Sequence, residues 1–163
     1  EGAQISVTQL IGDYYATPAT WSTQKSASKV LSSLNQWLNA QVDNNSGYFL
    51  QWLTTFSALI IKSSTAYIFH VGDTRISLYR QNSLEAITTD HQQKQGPSHS
   101  VLTRALGADH RLQVDVQEVA IQAGDVFVLT CDGVHDYIPI QQLKGQLTLC
   151  RPRSNRWPVK CKT

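Results

Sequence analysis

The sequence predicts an α+β fold in which two helices come first and a set of antiparallel strands follows. Two observations support this class. Apolar residues recur at helical spacing up to about residue 42, and β-branched apolar runs separated by turn residues then continue to residue 130. The chain has 163 residues, 41% of them hydrophobic, which is enough for one domain with a substantial core.

The helices are expected over residues 1–15 and from Ser22 or Thr23 to about residue 42. Pro18 interrupts the first periodic pattern, and a serine or threonine is a good cap for the second helix. The apolar stripe of the first helix consists of Val7, Leu10, Ile11 and Tyr14, and that of the second consists of Val30, Leu31, Leu34, Trp37, Leu38 and Val42.

Strands are expected where apolar and β-branched residues cluster between turns. The residues 72–75 are predicted to form a tight turn that joins two antiparallel neighbours. Residues 90–111 are polar and predict a loop with one helical turn near Leu102, and Pro139 suits the start of a short helix over 140–144. The predicted strands are Thr54–Ile61, Ala66–Val71, Ile76–Tyr79, Leu84–Ile87, 112–116 and Val126–Thr130.

The charge is divided unevenly along the chain. Residues 1–136 hold all twelve acids and eight bases, whereas residues 137–163 hold six bases and no acid. We therefore expect a domain over 1–145 and a basic tail over 146–163 that is disordered or read out of frame. Such a tail can bind polyanions through counterion release, but a solvated tail is the favoured interpretation, so no nucleic-acid partner is predicted.

Several classes are excluded by what the sequence lacks. No apolar run reaches the roughly 18 residues of a membrane-spanning helix, and no signal peptide opens the chain. Three cysteines do not describe a disulfide framework, and the histidines and cysteines do not show zinc spacing. Neither a Gly-x-Ser-x-Gly element nor a glycine-rich phosphate loop occurs. These features predict a cytoplasmic protein.

Three aspartates are candidates for metal binding. Asp73 lies in the turn at 72–75, and Asp132 and Asp136 follow an apolar strand, four residues apart. If that segment is helical, the last two carboxylates share a face and suit a hard divalent cation. An aspartate in a turn is more often a turn former, and Asp132 can simply cap a helix. Spacing alone therefore leaves structural and metal-binding roles open.

Four elements occur in an order that resembles the metal-dependent protein phosphatases, the PPM or type 2C serine/threonine family. They are Val-Gly-Asp-Thr-Arg at 71–75, Ile-Thr-Thr-Asp-His at 87–91, Leu-Thr-Arg-Ala-Leu-Gly at 102–107 and Cys-Asp-Gly-Val-His-Asp at 131–136. Each alone is a weak signal, but the four in this order are specific to the family. The resemblance implies an antiparallel β-sandwich flanked by helices.

The same resemblance implies hydrolysis of phosphoserine and phosphothreonine in proteins at a two-metal centre of Mn²⁺ or Mg²⁺. Asp132 resembles a ligand of the first metal. Asp73 and Asp136, together with Asp132, resemble the ligands of an additional, weaker metal site. The implied partners are a phosphoprotein substrate and a cognate serine/threonine kinase, which places the family in signalling.

Two family motifs are missing from the sequence. The family carries an Asp-Gly-x-Gly-Gly element before its first helix and an Asp-Asn ligand near its end, and neither occurs here. We therefore expect an incomplete phosphatase domain that is inactive as it stands and that belongs to a longer, in some cases membrane-anchored, protein. The alternative is a non-catalytic, phosphatase-like binding or regulatory module.

Overall fold

The computed structural model describes residues 1–44, 49–95 and 100–150. Its helices are α1 (Gly2–Ala16), α2 (Thr23–Asn44), a short 3₁₀ helix (Phe49–Gln51), α3 (Asp132–His135) and α4 (Ile140–Cys150). Its strands are β1 (Phe56–Lys62), β2 (Thr65–Val71), β3 (Arg75–Arg80), β4 (Ser83–Ala86), β5 (Gln92–Lys94), β6 (Ser100–Leu102), β7 (Asp115–Ala120) and β8 (Val126–Thr130).

The strands form two three-stranded antiparallel sheets and one small ribbon. The first sheet has the order β1-β2-β7, the second has the order β4-β3-β8, and β5 pairs with β6. Helices α1 and α2 pack together. This arrangement confirms the predicted α+β class.

The main core lies between the helices and the first sheet. Leu31 and Leu38 of α2 and Phe69 of β2 are fully buried in one cluster. The opposite face of β2 is buried as well, because Ile68 is also fully inaccessible. The second sheet contacts the first, because the Arg80 guanidinium of β3 donates to the Ala120 carbonyl of β7 over 2.7 Å. The first sheet is therefore covered on both sides, which is typical of a flanked sandwich.

The second helix begins as predicted, but the first packs through an unexpected face. Ser22 caps α2 by accepting from the Lys25 backbone N–H. In α1, Val7 and Ile11 are more than half exposed, whereas Gly2 and Ser6 are buried. The predicted stripe of α1 is therefore wrong in part. The reason is a close approach that the pattern does not record: a Cβ on Gly2 would lie 2.9 Å from the Trp52 carbonyl oxygen.

The predicted hairpin at 72–75 is wrong. Strands β2 and β3 lie in different sheets, and their partners are β1 and β7 in one case and β4 and β8 in the other. The backbone at Gly72 has φ +112°. This conformation turns the chain out of one sheet and into the other, instead of folding it back beside β2.

Two further expectations change in the middle of the chain. The helical turn near Leu102 is wrong, because Leu102 ends strand β6 and pairs with Gln92. The strand predicted over 112–116 begins instead at Asp115, since pairing with β2 starts where His70 faces that residue.

Helix α4 is longer than expected. It continues from Ile140 to Cys150, past the predicted domain end at residue 145. The Tyr79 hydroxyl of β3 lies 2.8 Å from the Thr148 hydroxyl, which anchors this extension. Residues 151–163 of the predicted tail lie outside the described residues.

Candidate functional site

Asp73 lies at the crossover between the two sheets. Its neighbour Gly72 has a positive φ, and a Cβ there would lie 2.5 Å from the Thr55 Cβ and Cγ2 atoms. Only glycine fits this position without a shift of the neighbouring chain. The chain therefore leaves the edge of the first sheet at a fixed position, and Asp73 is half-buried there.

The second acidic element follows strand β8. Cys131 has an extended backbone, and α3 begins at Asp132. The Asp136 N–H donates to the Asp132 carbonyl over 3.0 Å, so the segment is helical and both side chains project from one turn. The structure confirms the helical geometry on which the predicted pairing of these carboxylates depended.

Strand pairing brings the two acidic elements together. In the antiparallel pair of β3 and β8, Arg75 faces Thr130. The residues just before β3 therefore lie beside those just after β8. Burial raises the pKa of Asp73, and repulsion from the Asp132 and Asp90 carboxylates raises it further. Negative charge is thus concentrated at this point of the sheet edge.

These carboxylates suit a hard divalent cation in their chemistry, because oxygen ligands and negative charge are what Mn²⁺ and Mg²⁺ require. Asp132 is exposed, and one of its oxygens accepts from the Gly133 N–H over 2.7 Å. The Asp136 side chain is 61% exposed. Over residues 1–44, 49–95 and 100–150, no group of three or more His, Cys, Asp or Glu side chains is preformed around one ion position. Asp73, Asp132 and Asp136 therefore stay a predicted ligand set.

Arg75 does not neutralise these carboxylates directly. Its guanidinium forms a bidentate pair with Asp90, with nitrogen–oxygen distances of 2.9 and 2.6 Å. Hydrogen bonds from Arg75 hold the pKa of Asp90 below its usual range. Arg75 attracts Asp73 and Asp136 at longer range, but its hydrogen bonds go to Asp90 and not to the carboxylates of Asp73 or Asp132.

Sequence reasoning missed the polar network behind the turn. His70 is 1% exposed, and its Nε2–H donates to the Thr89 carbonyl over 3.1 Å. Its Nδ1 accepts from the Ser57 hydroxyl over 2.9 Å, and Ser57 accepts in turn from the Thr74 hydroxyl. Because the Thr89 carbonyl can only accept, the neutral His70 ring carries its proton on Nε2. No periodicity signals this network, because its members come from separate elements.

His70 is expected to make the protein sensitive to acid. Burial, followed by the neighbouring His91, lowers the pKa of His70 below 6.5 in the folded protein. As the pH falls, His70 therefore takes up a proton in the unfolded chain before it does so in the folded protein. Its contribution to the free energy of unfolding is complete above about pH 6.5 and is lost as the pH falls toward the lowered pKa. Urea unfolding of the wild type from pH 7.5 to 5 should show this loss, and His70→Gln should show a smaller slope. An equal slope in His70→Gln and in the exposed control His110→Gln would contradict it.

Known proteins similar to this chain include serine/threonine phosphatases. The chain is 29% identical over 121 residues to the serine/threonine phosphatase Stp of Listeria welshimeri, a match that covers 65% of this chain and 48% of that protein. The catalytic domain of the serine/threonine phosphatase PstP in complex with two manganese ions superposes with a TM-score of 0.74 at 22% identity, over 90% of this chain and 66% of that one. The chain is related to the type 2C serine/threonine phosphatases.

A second solved structure shows a similar fold. PppA, a key regulatory component of T6SS in Pseudomonas aeruginosa, gives a TM-score of 0.76 at 22% identity, over 88% of this chain and 66% of that one. The predicted type 2C fold is therefore confirmed. No protein-family model matches the chain. The chain spans about half the length of the type 2C relatives that it matches. In the part that the structure describes, no helix is both long and apolar enough to cross a bilayer.

Proposed function

We propose that the domain to which this chain belongs hydrolyses phosphoserine and phosphothreonine in proteins with the help of Mn²⁺ or Mg²⁺. The observation that carries the proposal is the pairing of β3 with β8, which sets Asp73 beside Asp132 at one sheet edge. The relatedness to serine/threonine phosphatases supports the reaction class. Substrate phosphoproteins imply a serine/threonine kinase that makes them, and since kinases consume ATP, we place the reaction in the cytoplasm.

Asp132 is the proposed ligand of a first metal, and Asp73 and Asp136 join it at a weaker site. When bound, divalent cations supply positive charge to the phosphoryl oxygens and make a nearby water more acidic. The chain's own contribution is to hold the carboxylates. Gly72 fixes the path of the turn, and Asp90 holds the Arg75 guanidinium in a bidentate pair.

The Asp132→Asn substitution tests the metal site directly. We expect Mn²⁺ binding by this chain, measured by isothermal titration calorimetry, to weaken on the order of tenfold because one negative ligand is lost. Asp13→Asn is the matched control, since Asp13 is an exposed carboxylate on α1. Equal Mn²⁺ affinity in wild type and Asp132→Asn would contradict the proposed site.

A phosphothreonine peptide separates this function from the second candidate, a non-catalytic binding module. The module is favoured by the finding that the described residues hold no preformed group of three metal-ligating side chains. We expect little Mn²⁺-dependent phosphate release from this chain alone. Release that is lost in Asp132→Asn would show that the carboxylates present suffice for hydrolysis. Peptide binding without release would support the module.

A further inference from the structure

The segment Thr89–His91 contacts the Asp73 turn from behind. We propose that His91 is a positioning residue that holds the Gly72–Asp73 peptide and thereby sets where the Asp73 carboxylate lies. The consequence for metal binding rests on the proposed function. The claim that His91 holds the Gly72–Asp73 peptide rests only on the contacts of His91, which is 7% exposed.

His91 uses both polar groups of Gly72. The backbone N–H of His91 donates to the Gly72 carbonyl over 2.7 Å. The Gly72 N–H in turn donates to Nδ1 of the His91 ring over 3.0 Å. Gly72 has no side chain with which to anchor itself, and its φ of +112° is not held by a local preference. The position of the peptide that leads into Asp73 is therefore fixed from outside, by one residue.

The other side of the His91 ring is fixed as well. Because Nδ1 accepts a hydrogen bond, Nε2 carries the proton, and it donates to Asp115 over 3.0 Å. The second Asp115 oxygen accepts from the Arg104 guanidinium, also over 3.0 Å. Asp115 is the first residue of β7, so the ring connects the crossover turn to the edge strand that pairs with β2.

Two further contacts keep the segment in place without the His91 ring. The His70 ring donates to the Thr89 carbonyl, and the Arg75 guanidinium pairs with Asp90. Substitution of the His91 side chain is therefore expected to act locally, on Gly72 and Asp73, while the segment itself stays attached. This separation allows the two hydrogen bonds of the ring to be tested one at a time.

Two amide substitutions divide the functions of the ring. In His91→Asn, the side-chain oxygen occupies the place of Nδ1 and can still accept from Gly72, whereas the contact with Asp115 is lost. In His91→Gln, the amide nitrogen reaches toward Asp115 as Nε2 does, whereas the acceptor for Gly72 is lost. The exposed His110, changed to Asn and to Gln, serves as the matched control.

The measurement is amide hydrogen exchange of Gly72 by NMR, together with Mn²⁺ affinity. We expect His91→Gln to exchange the Gly72 amide at least about tenfold faster than the wild type, and His91→Asn to stay close to it. Mn²⁺ affinity should fall roughly tenfold in His91→Gln and be largely retained in His91→Asn.

Three results would overturn the assignment. These are equal Gly72 exchange in both variants, loss of exchange protection in both, or a Gln-specific loss of protection that leaves Mn²⁺ affinity unchanged. If the wild type itself takes up no Mn²⁺, the proposed function fails, and the positioning role is decided separately by Gly72 exchange and the Asp73 carboxyl chemical shift. A change of the Asp73 carboxyl chemical shift in His91→Gln but not in His91→Asn supports the positioning role. An unchanged Asp73 chemical shift in His91→Gln contradicts it.

Discussion

Replacing Gly72 with alanine is expected to lower the free energy of unfolding by roughly 2–4 kcal/mol. The backbone at Gly72 has φ +112°, which residues with a side chain rarely adopt. The added Cβ would also lie 2.5 Å from the Thr55 Cβ and Cγ2 atoms. These Thr55 atoms are close to the backbone, so the neighbouring strand or the turn itself must move.

The matched control is Gly12→Ala in helix α1. A Cβ at Gly12 would meet no atom within 4 Å, and alanine is the better helix former. We therefore expect Gly12→Ala to stabilise the protein by about 0.5–1 kcal/mol. Urea denaturation of both variants measures the contrast. A Gly72→Ala protein as stable as the wild type would show that the crossover tolerates a side chain, and the fixed position of Asp73 would lose its explanation.

Replacing Asn35 with alanine is expected to destabilise the protein by roughly 2–4 kcal/mol, because the buried Gly107 N–H and the Asp109 carbonyl would both lose their partner. Asn35 lies on the inner face of α2 and is 1% exposed. Its side-chain oxygen accepts from the Gly107 N–H over 2.8 Å, and its amide nitrogen donates to the Asp109 carbonyl over 2.8 Å. The Asn35 side chain therefore ties α2 to the loop that leads to β7, and Asn39 on the same helix adds a hydrogen bond to the Gly107 carbonyl.

The neighbouring Gln36 provides the control for Asn35. Gln36 is exposed on the same helix, so Gln36→Ala should change the free energy of unfolding by no more than about 0.5 kcal/mol. Amide exchange of Gly107 adds a local readout, since its N–H should lose protection in Asn35→Ala and keep it in Gln36→Ala. Comparable stability of the two variants would mean that water replaces the Asn35 contacts at little cost.

The elements with a strong local pattern could be predicted from the sequence. Strand β8 runs over Val126–Thr130 as expected, and α2 begins after Ser22, which caps it. These features depend on a few adjacent side chains: a capping hydroxyl for α2 and a continuous apolar run for β8. The short strands β5 and β6 were missed because each has only three residues, β5 is polar throughout, and the ribbon is stabilised by mutual pairing.

The candidate site was predictable only in its charged residues. Asp73 and Asp132 were recognised through their motifs, but no local pattern shows that His91 holds Gly72 or that Asp115 orients His91. Asn35 and Asn39 carried a usable signal. They are spaced four residues apart on the face of α2 that also carries the apolar stripe, and buried amides on such a face require hydrogen-bond partners.

The sequence by itself determined the α+β class, the type 2C resemblance and the three candidate carboxylates, because each depends on residue identity within a short stretch. The tertiary structure alone decided that the turn at 72–75 crosses between sheets and that Asp73 lies beside Asp132. The physical reason is strand register: pairing of Arg75 with Thr130 joins residues far apart in the chain, and such pairing is fixed by the packing of the whole core.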